Sequence, residues 1–283
     1  MKILQKRYKY DENNIIGKGG FGIVYKGYDM LNNIDVAIKI EVDKKYNKRE
    51  YNVYNKITGK KYMAECLDYF ENEDSSFLIL NLYSINSDEI LKINNKFFTI
   101  KDVLTLGIQI LQQLNHLHKH KIIHRDIKPE NFILDKESSK FKLIDFGLCK
   151  SYYSSDKHIK FYRSASRCGT LRYMSINSHS RYALSRRDDL ISLAYSLIYL
   201  YKNKLPWQGL KKNKSNQHTI IKLSKKTYNC EDLPPVLNNF YKYVTKLQFS
   251  ENPDYSFLIK EFYNYLKKNN MKYDRHWSFN KIL

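Results

Sequence analysis

Half of the glycines in this chain lie in one short segment near its start. The 283 residues contain ten glycines, and five of them fall within eleven positions: Gly17, Gly19, Gly20, Gly22 and Gly27. The sequences before and after this segment, NNII and IVYKGYD, are strand-like, and a third alternating run covers residues 34–42. The glycines therefore join one strand to the next. This order excludes the dinucleotide-binding βαβ unit, in which a glycine-rich turn leads from a strand into a helix.

The sequence changes character after its first 82 residues. Residues 44–58 have a helical pattern and residues 66–82 contain two further strand-like runs, which together predict a small sheet with one helix. Beyond them, residues 99–102 form a capping box that opens an amphipathic helix, and the segment opened by residues 185–188 is apolar on every side, which is typical of a buried central helix. The predicted fold class is therefore α+β, with a small, mostly β lobe joined near residues 83–86 to a larger, mostly α lobe.

Charge and hydropathy narrow the possible partners. The formal net charge is +20, and the tracts of residues 157–187 and 202–226 contain no acidic residue, which favours an acidic partner. An AT-rich coding sequence would also raise the overall lysine content. The longest mostly apolar run, residues 190–201, is too short to span a membrane, and the first residues lack the apolar stretch of a secretory signal. We expect an intracellular protein, in the cytoplasm, the nucleus or both, with no membrane partner.

Four motifs suited to polyphosphate and metal chemistry follow one another along the chain. The glycine segment, residues 17–24, lets backbone N–H groups approach phosphate oxygens. Lys39 lies on the third strand, and Glu50 on the following helix can pair with it. The segment HRDIKPEN, ending at residue 131, supplies a carboxylate, a cation and an amide within six positions. The triplet Asp145-Phe146-Gly147 then supplies a second carboxylate able to hold Mg²⁺.

With these motifs in this order, the chain resembles a eukaryotic-type protein kinase over nearly its whole length. Several further segments resemble the casein kinase 1 family, namely Asn131-Phe-Ile-Leu, Ser175-Ile-Asn177-Ser-His, Ser185-Arg-Arg-Asp-Asp-Leu190, Leu205-Pro-Trp207-Gln-Gly-Leu210 and Pro253-Asp-Tyr-Ser-Phe-Leu258. That family has the residues SIN at the position where most kinases have APE. This chain also has SIN there, at residues 175–177. The resemblance implies a bilobal kinase domain over residues 8–283, with an N-lobe at 8–83, a C-lobe at 84–283 and a short extension at 1–7.

The resemblance also implies a role for each motif residue. Asp126 would accept or orient the proton of the substrate hydroxyl, and Lys128 would neutralise charge on the transferred γ-phosphoryl group of ATP. Asn131 and Asp145 would bind Mg²⁺, and the pair of Lys39 and Glu50 would complete the catalytic set. The implied ATP-binding residues are Ile16, Gly17, Gly19, Gly20, Phe21, Gly22, Val24, Ala37, Lys39, Leu80, Leu82 and Ile133.

For substrates, the resemblance implies a serine/threonine kinase that favours acidic or phosphorylated proteins. Arg172 and Gly209 match the family's anion pocket, which receives a phosphate or acidic side chain three residues before the target. The family's third contributor is a lysine, and a gapless alignment from Trp207 puts His218 there, with Lys214 and Lys222 as alternatives. We expect a monomer that does not require nucleic acid. Two other hypotheses stay open, a pseudokinase scaffold and a basic nucleic-acid-binding protein.

Overall fold

The chain folds into two compact units. The computed structural model describes residues 1–19, 22–57, 62–94, 98–210 and 216–280. The first unit consists of residues 1–84 together with residues 144–149, and the second consists of residues 85–143 and the chain from residue 150 onward. Residues 1–7, expected as an extension, contribute the first strand of the first unit.

The first unit is an antiparallel sheet with one helix. Its elements are β1 (Lys2–Leu4), β2 (Tyr8–Gly19), β3 (Gly22–Asp29), β4 (Ile34–Glu41), α1 (Lys44–Ile57), β5 (Cys66–Glu71) and β6 (Ser76–Asn81), and the strand order in the sheet is β1-β2-β3-β4-β6-β5. Successive strand residues point to opposite faces. In β4, Val36 and Ile38 join a buried apolar cluster with Tyr8 and Phe77, whereas Lys39 lies on the opposite face. This small sheet with one helix confirms the predicted β lobe.

The second unit is mostly helical. Its elements are α2 (Ser87–Asn94), α3 (Ile100–Lys119), β7 (Ile122–Ile123), β8 (Phe132–Asp135), β9 (Lys140–Leu143), β10 (Lys150–Ser151), β11 (Tyr153–Ser154), β12 (Lys157–His158), α4 (Ile176–His179), α5 (Arg186–Lys202), α6 (Gln217–Lys226), α7 (Pro235–Lys246) and α8 (Tyr255–Lys268). In the described part of this unit the strands form short antiparallel ladders, β8 with β9, β7 with β10 and β11 with β12. The predicted α-rich lobe is therefore confirmed.

Helix α5 lies at the centre of the second unit. From residue 188 to residue 200 every residue is buried, and the helix packs against α3 and α7. Helix α3 begins at the predicted capping box, in which Asp102 N–H donates to Thr99 Oγ1 at 3.2 Å and Thr99 N–H donates to Asp102 Oδ2 at 3.0 Å. Within the described ranges, no helix combines the length and the apolar character needed to cross a membrane.

Candidate active site

The loop between β7 and β8 is anchored to the central helix α5 by one carboxylate. Asp189 accepts hydrogen bonds from the backbone N–H groups of His124, at 2.7 Å, and Arg125, at 2.8 Å. His118 Nε2 lies 2.9 Å from the same carboxylate. Burial alone would raise the pKa of Asp189, but the hydrogen bonds from His118 and the loop backbone outweigh it and lower that pKa. A buried anion therefore fixes the backbone just before Asp126.

Three of the predicted catalytic residues meet in this loop. Asp126 is only 7% exposed, and its Oδ2 accepts from Lys128 Nζ at 2.7 Å. Asn131 lies in a 3₁₀ turn, and its Nδ2 donates to the carbonyl oxygen of Asp126 at 2.9 Å. A carboxylate, a cation and an amide are thus held in one rigid turn, an arrangement that can orient a hydroxyl and offset phosphoryl charge.

Thr170 belongs to this group, although the sequence motifs did not single it out. Its backbone N–H and its hydroxyl both donate to Asp126 Oδ1, at 2.7 and 2.8 Å, and its hydroxyl also accepts from Lys128 Nζ at 3.2 Å. The preceding Gly169 has a φ of +94°, and a Cβ there would lie 2.6 Å from the carbonyl oxygen of Arg125. Glycine therefore permits the close backbone approach that places Thr170. The feature of the sequence that could have pointed to Thr170 is Gly169, a single glycine within the acid-free tract of residues 157–187.

In the first unit, Lys39 is surrounded by carboxylates. Its Nζ lies 2.7 Å from Glu50 Oε2 of α1, 3.2 Å from Glu41 Oε1 and 3.4 Å from Asp145 Oδ1. Burial opposes its charge, but Glu50, Asp145 and Glu41 together raise the pKa of Lys39. The backbone N–H of Phe146 donates to Glu50 Oε1 at 3.1 Å. The geometry thus joins the predicted Lys39–Glu50 pair to the Asp145-Phe146-Gly147 segment.

Glu41 was not predicted as part of this group. It lies two residues after Lys39 on β4, so both side chains share one face of the strand, and it is only 1% exposed. Burial raises the pKa of Glu41 to about 7, although the neighbouring Lys39 opposes that rise. Apolar and charged residues alternate along Ile38-Lys39-Ile40-Glu41, and this alternation could have predicted that Glu41 lies on the same strand face as Lys39.

The glycine-rich segment joins β2 to β3 as expected. Gly17 pairs with Val24, and Gly19 pairs with Gly22. Gly22 has a φ of +155°, and a Cβ there would overlap the carbonyl oxygen of Ile40 and lie 2.6 Å from Glu41 Cγ. A glycine is therefore required at this position. Gly20 and Phe21, also predicted to bind ATP, lie outside the described residues.

The other predicted ATP-binding residues fall in both units. Ala37 of β4 pairs with Leu80 of β6, and Leu82 follows the end of that strand. Ile16 lies on β2 and is exposed. Ile133 belongs to β8 of the second unit.

Arg172 and Gly209 line one cavity of about 500 Å³ in the second unit. Trp207 Nε1 donates to the carbonyl oxygen of Arg172 at 2.7 Å, which ties the two segments together. His218 is not among the described residues lining this cavity; its Nδ1 lies 3.3 Å from His179 Nδ1 instead. The structure therefore brings two of the three predicted anion-pocket residues together. Of the alternatives, Lys222 is not a described lining residue, and Lys214 lies outside the described residues.

The oxygen atoms of Asn131 and Asp145 fit a magnesium ion by their chemistry. Mg²⁺ prefers carboxylate and amide oxygens. The Asn131 amide uses its nitrogen to hold the loop, so its oxygen is not consumed by that bond. The Asp145 side chain keeps about a third of its surface exposed. Each residue thus offers a hard oxygen ligand in its own unit.

Comparison with known proteins agrees with this geometry. The sequence matches the protein kinase domain family over residues 10–272. It is 33% identical over 270 residues to casein kinase I homolog 2 of Schizosaccharomyces pombe, covering 90% of this chain and 62% of that protein. It is 34% identical over 256 residues to a probable casein kinase I homolog of Encephalitozoon cuniculi (86% and 84%), and 32% identical over 281 residues to a casein kinase I homolog of Kluyveromyces lactis (94% and 52%).

The coverage of these relatives differs. The chain spans somewhat more than half the length of the Schizosaccharomyces and Kluyveromyces proteins, and most of the Encephalitozoon protein. The kinase domain match covers nearly the whole chain, and the identity to each relative exceeds 30%. The chain therefore belongs to the protein kinase family and, within it, to the casein kinase 1 family.

Proposed function

We propose that this chain is a serine/threonine protein kinase that transfers the γ-phosphoryl group of Mg-ATP to protein substrates. The observation that carries the proposal is the Asp126 carboxylate, held by Thr170 on one oxygen and by Lys128 on the other. Family membership and the casein kinase names of the relatives support the same activity.

The geometry suits the two requirements of phosphoryl transfer, positioning and charge neutralisation. Asp126 Oδ2 would take or orient the proton of the acceptor hydroxyl, because Oδ1 already accepts two hydrogen bonds from Thr170, whereas Oδ2 accepts one, from Lys128. Lys128, 2.7 Å from Asp126, would lie beside the transferred group and offset its charge. Lys39, aimed by Glu50, would hold nucleotide phosphates. Mg²⁺ held by Asn131 and Asp145 would neutralise charge on the phosphate oxygens.

The cavity of Arg172 supports a preference for acidic or phosphorylated substrates. The Arg172 guanidinium lies over the rings of Tyr173 and Tyr199, and no carboxylate of the described residues lies within 4 Å of it. Two carboxylates line the same cavity. Asp88 is paired with Lys92 at 2.6 Å, and burial raises the pKa of Glu130, which disfavours its charged form. An incoming anion would therefore meet an available guanidinium, held in place by aromatic rings.

Retention of every catalytic group argues against a pseudokinase scaffold. Such a protein would normally have lost the strand lysine, the loop aspartate or the second carboxylate, whereas Lys39, Asp126 and Asp145 are all present and hydrogen-bonded or ion-paired.

An intracellular, monomeric enzyme is part of the proposal. Its four cysteines lie in the described ranges and none is disulfide-bonded, which suits a reducing compartment.

The test is a phosphotransfer assay with labelled Mg-ATP. The wild type and Arg172→Ala are compared on casein and on two matched peptides. One peptide carries phosphoserine three residues before the acceptor serine, and the other is unmodified. We expect label on serine or threonine, and a loss of roughly 10- to 100-fold in kcat/KM for the phosphorylated peptide in the variant, because one charge-assisted hydrogen bond is removed. Equal losses on both peptides would remove Arg172 from substrate recognition. Absence of any transfer would refute the proposed activity.

A further inference from the structure

A groove runs between α7 and α8, the last two helices of the second unit. Helix α7 packs on α5 and helix α8 packs on α3, and each of them packs more extensively on its own support than on the other. The cavity left between them has a volume of about 600 Å³. None of the predicted catalytic, ATP-binding or anion-pocket residues is among its described lining residues. The groove is therefore a feature that the candidate active site does not account for.

The groove follows one side of each helix. Its lining begins at Pro235 and ends at Lys246 on α7, and begins at Phe257 and ends at Lys268 on α8, with lining residues recurring every three or four positions. Each range rises by 1.5 Å per residue, so the groove is about 17 Å long. A helix of about three turns has the same length and could lie along it.

The floor of the groove is apolar and closely packed. Phe262 of α8 is 1% exposed, and a Cβ on Gly107 of α3 would lie 2.7 Å from its ring, so the glycine makes room for the phenylalanine. Phe240 of α7 meets Phe262 edge to face, with the ring centroids 5.3 Å apart. Leu258 is 2% exposed. These side chains form a fixed apolar surface at the bottom of the groove.

An aromatic pair lies at one end of the groove. The rings of Tyr243 and Phe257 have their centroids 5.8 Å apart, and the hydroxyl of Tyr243 accepts from the backbone N–H of Asp254 at 3.0 Å. Phe257 nevertheless keeps 45% of its surface exposed. An exposed ring beside an apolar floor gains from burial when an apolar partner covers it.

Cationic side chains lie on both edges of the groove. Lys242 and Lys246 of α7 and Lys268 of α8 line it, and all three are exposed. Among the described residues, none of these lysines has a carboxylate within 4 Å. Glu261 is the one acidic residue in the described part of the lining, so the edges carry net positive charge. They would repel a second copy of this chain, whose net charge is +20, and attract an acidic partner.

We propose that the groove between α7 and α8 is a docking site for an amphipathic, acidic α-helix of a partner protein. The apolar face of that helix would cover Phe257 and the floor, and its acidic residues would face the lysines of the edges. The length of the groove, its apolar floor and the charge of its edges all favour this occupant. The proposal does not depend on the proposed kinase activity.

The probe is a fluorescein-labelled peptide of about 15 residues, long enough to form a helix, with leucine at every third or fourth position and glutamate or alanine elsewhere. A scrambled peptide of the same composition distributes its leucines around the helix. Fluorescence anisotropy measures the Kd of both peptides for the full chain. We expect the ordered peptide to bind about tenfold more tightly, because only its leucines can share the groove. Equal affinities, or no binding of the ordered peptide, would overturn the proposal.

Three variants locate the binding site. Phe257→Ala removes the exposed ring, and Lys246→Glu reverses one charge on the edge of the groove. Lys260→Glu, at an exposed position of α8 outside the described lining, is the matched control for the same change of charge. We expect each of the first two variants to weaken binding of the ordered peptide by about tenfold, and the control by less than about twofold. Equal losses in Lys246→Glu and Lys260→Glu would show that binding follows net charge and not the groove.

Thermal unfolding and kinase activity serve as controls for these variants. All three positions are exposed, so the melting temperature should stay close to that of the wild type. Activity on a short unmodified peptide should also stay the same, because none of the three residues belongs to the candidate active site. If the wild type transfers no phosphoryl group, the proposed function fails, and the anisotropy measurement still tests the groove.

A fluorescent single-stranded oligonucleotide distinguishes a protein helix from the other acidic partner that a basic surface could bind. Its affinity is measured with the same variants. We expect Phe257→Ala to leave oligonucleotide binding unchanged. If Phe257→Ala and Lys246→Glu weaken oligonucleotide binding while the ordered and scrambled peptides bind equally, the groove serves nucleic acid and the proposal is wrong.

Discussion

At the scale of single residues, the first unit holds more negative than positive charge around Lys39. Glu50, Glu41 and Asp145 all lie within 3.4 Å of the same ammonium group. One cation cannot neutralise three buried or half-buried carboxylates, so burial raises the pKa of at least one of them. Glu41, which is almost fully buried and whose pKa burial raises to about 7, is that residue.

We predict that Glu41→Gln changes how stability depends on pH. The pKa of Glu41 is about 7 in the folded chain, above its usual value of 4.5, so between these values the folded state holds a proton that the unfolded state releases. The free energy of unfolding should therefore fall as pH rises through this window, by up to about 1.4 kcal/mol per pH unit from this group. Glu41→Gln should remove that contribution.

The measurement is denaturant unfolding at several pH values between about 4.5 and 7.5. Glu73→Gln, at an exposed glutamate, is the control for losing one carboxylate. The difference in unfolding free energy between Glu41→Gln and the wild type should grow in favour of the variant as pH rises. Parallel curves would show that Glu41 stays ionised in the folded protein.

At the scale of secondary structure, one carboxylate links the start of α3 to the C-terminal region. Asp102 accepts from Thr99 N–H at 3.0 Å within the capping box, and from the backbone N–H of Ser278 at 3.1 Å. It is 1% exposed. The helix cap is thus also a tertiary contact, and a sequence pattern of four residues could predict only the first of these two roles.

We predict that Asp102→Ala destabilises the protein more than Thr99→Ala does. Loss of an N-cap hydroxyl costs about 1 kcal/mol. Removing Asp102 takes away the acceptor of the donors on both Thr99 and Ser278. These two residues are exposed, so water can replace the acceptor and each lost hydrogen bond costs about 0.5 to 1.5 kcal/mol. Equilibrium unfolding of both variants measures the difference. Equal losses would mean that the contact with Ser278 contributes little.

At the scale of the whole molecule, the net charge of +20 should influence substrate encounter. We predict that kcat/KM for an acidic or phosphorylated peptide falls by about tenfold between about 50 and 300 mM salt, because salt screens attraction between exposed charges. A neutral peptide of the same length should change much less. Steady-state kinetics at several salt concentrations test this, and equal salt dependence of both peptides would contradict it.

The fold class and the main motif contacts could be predicted from sequence because each follows from a local pattern. Alternating strands around the glycines predicted the sheet, and an apolar segment without a polar face predicted the buried helix α5. The order of the kinase motifs, with a lysine on the third strand and a glutamate on the following helix, made the pairing of Lys39 with Glu50 foreseeable.

The remaining contacts depend on how distant segments meet, which no local pattern encodes. Thr170 reaches Asp126 only because Gly169 allows a close backbone approach to Arg125. His218 was assigned by counting residues from Trp207 through a segment partly outside the described residues, and the structure places it against His179 instead. Counting residues from Trp207 could not predict which side chains the residues of α6 contact, because α6 begins after that segment.

The role of Asp126 in phosphoryl transfer is tested most directly by Asp126→Asn. Two quantities are measured for the variant and the wild type: the rate at which the labelled phosphoryl group is transferred from Mg-ATP to casein, and the affinity for ATP. We predict a loss on the order of 10² to 10⁴ in kcat, as expected for a missing acid/base group, with ATP affinity changed by no more than a few-fold. Turnover within a few-fold of the wild type would show that Asp126 is not the residue that drives the transfer.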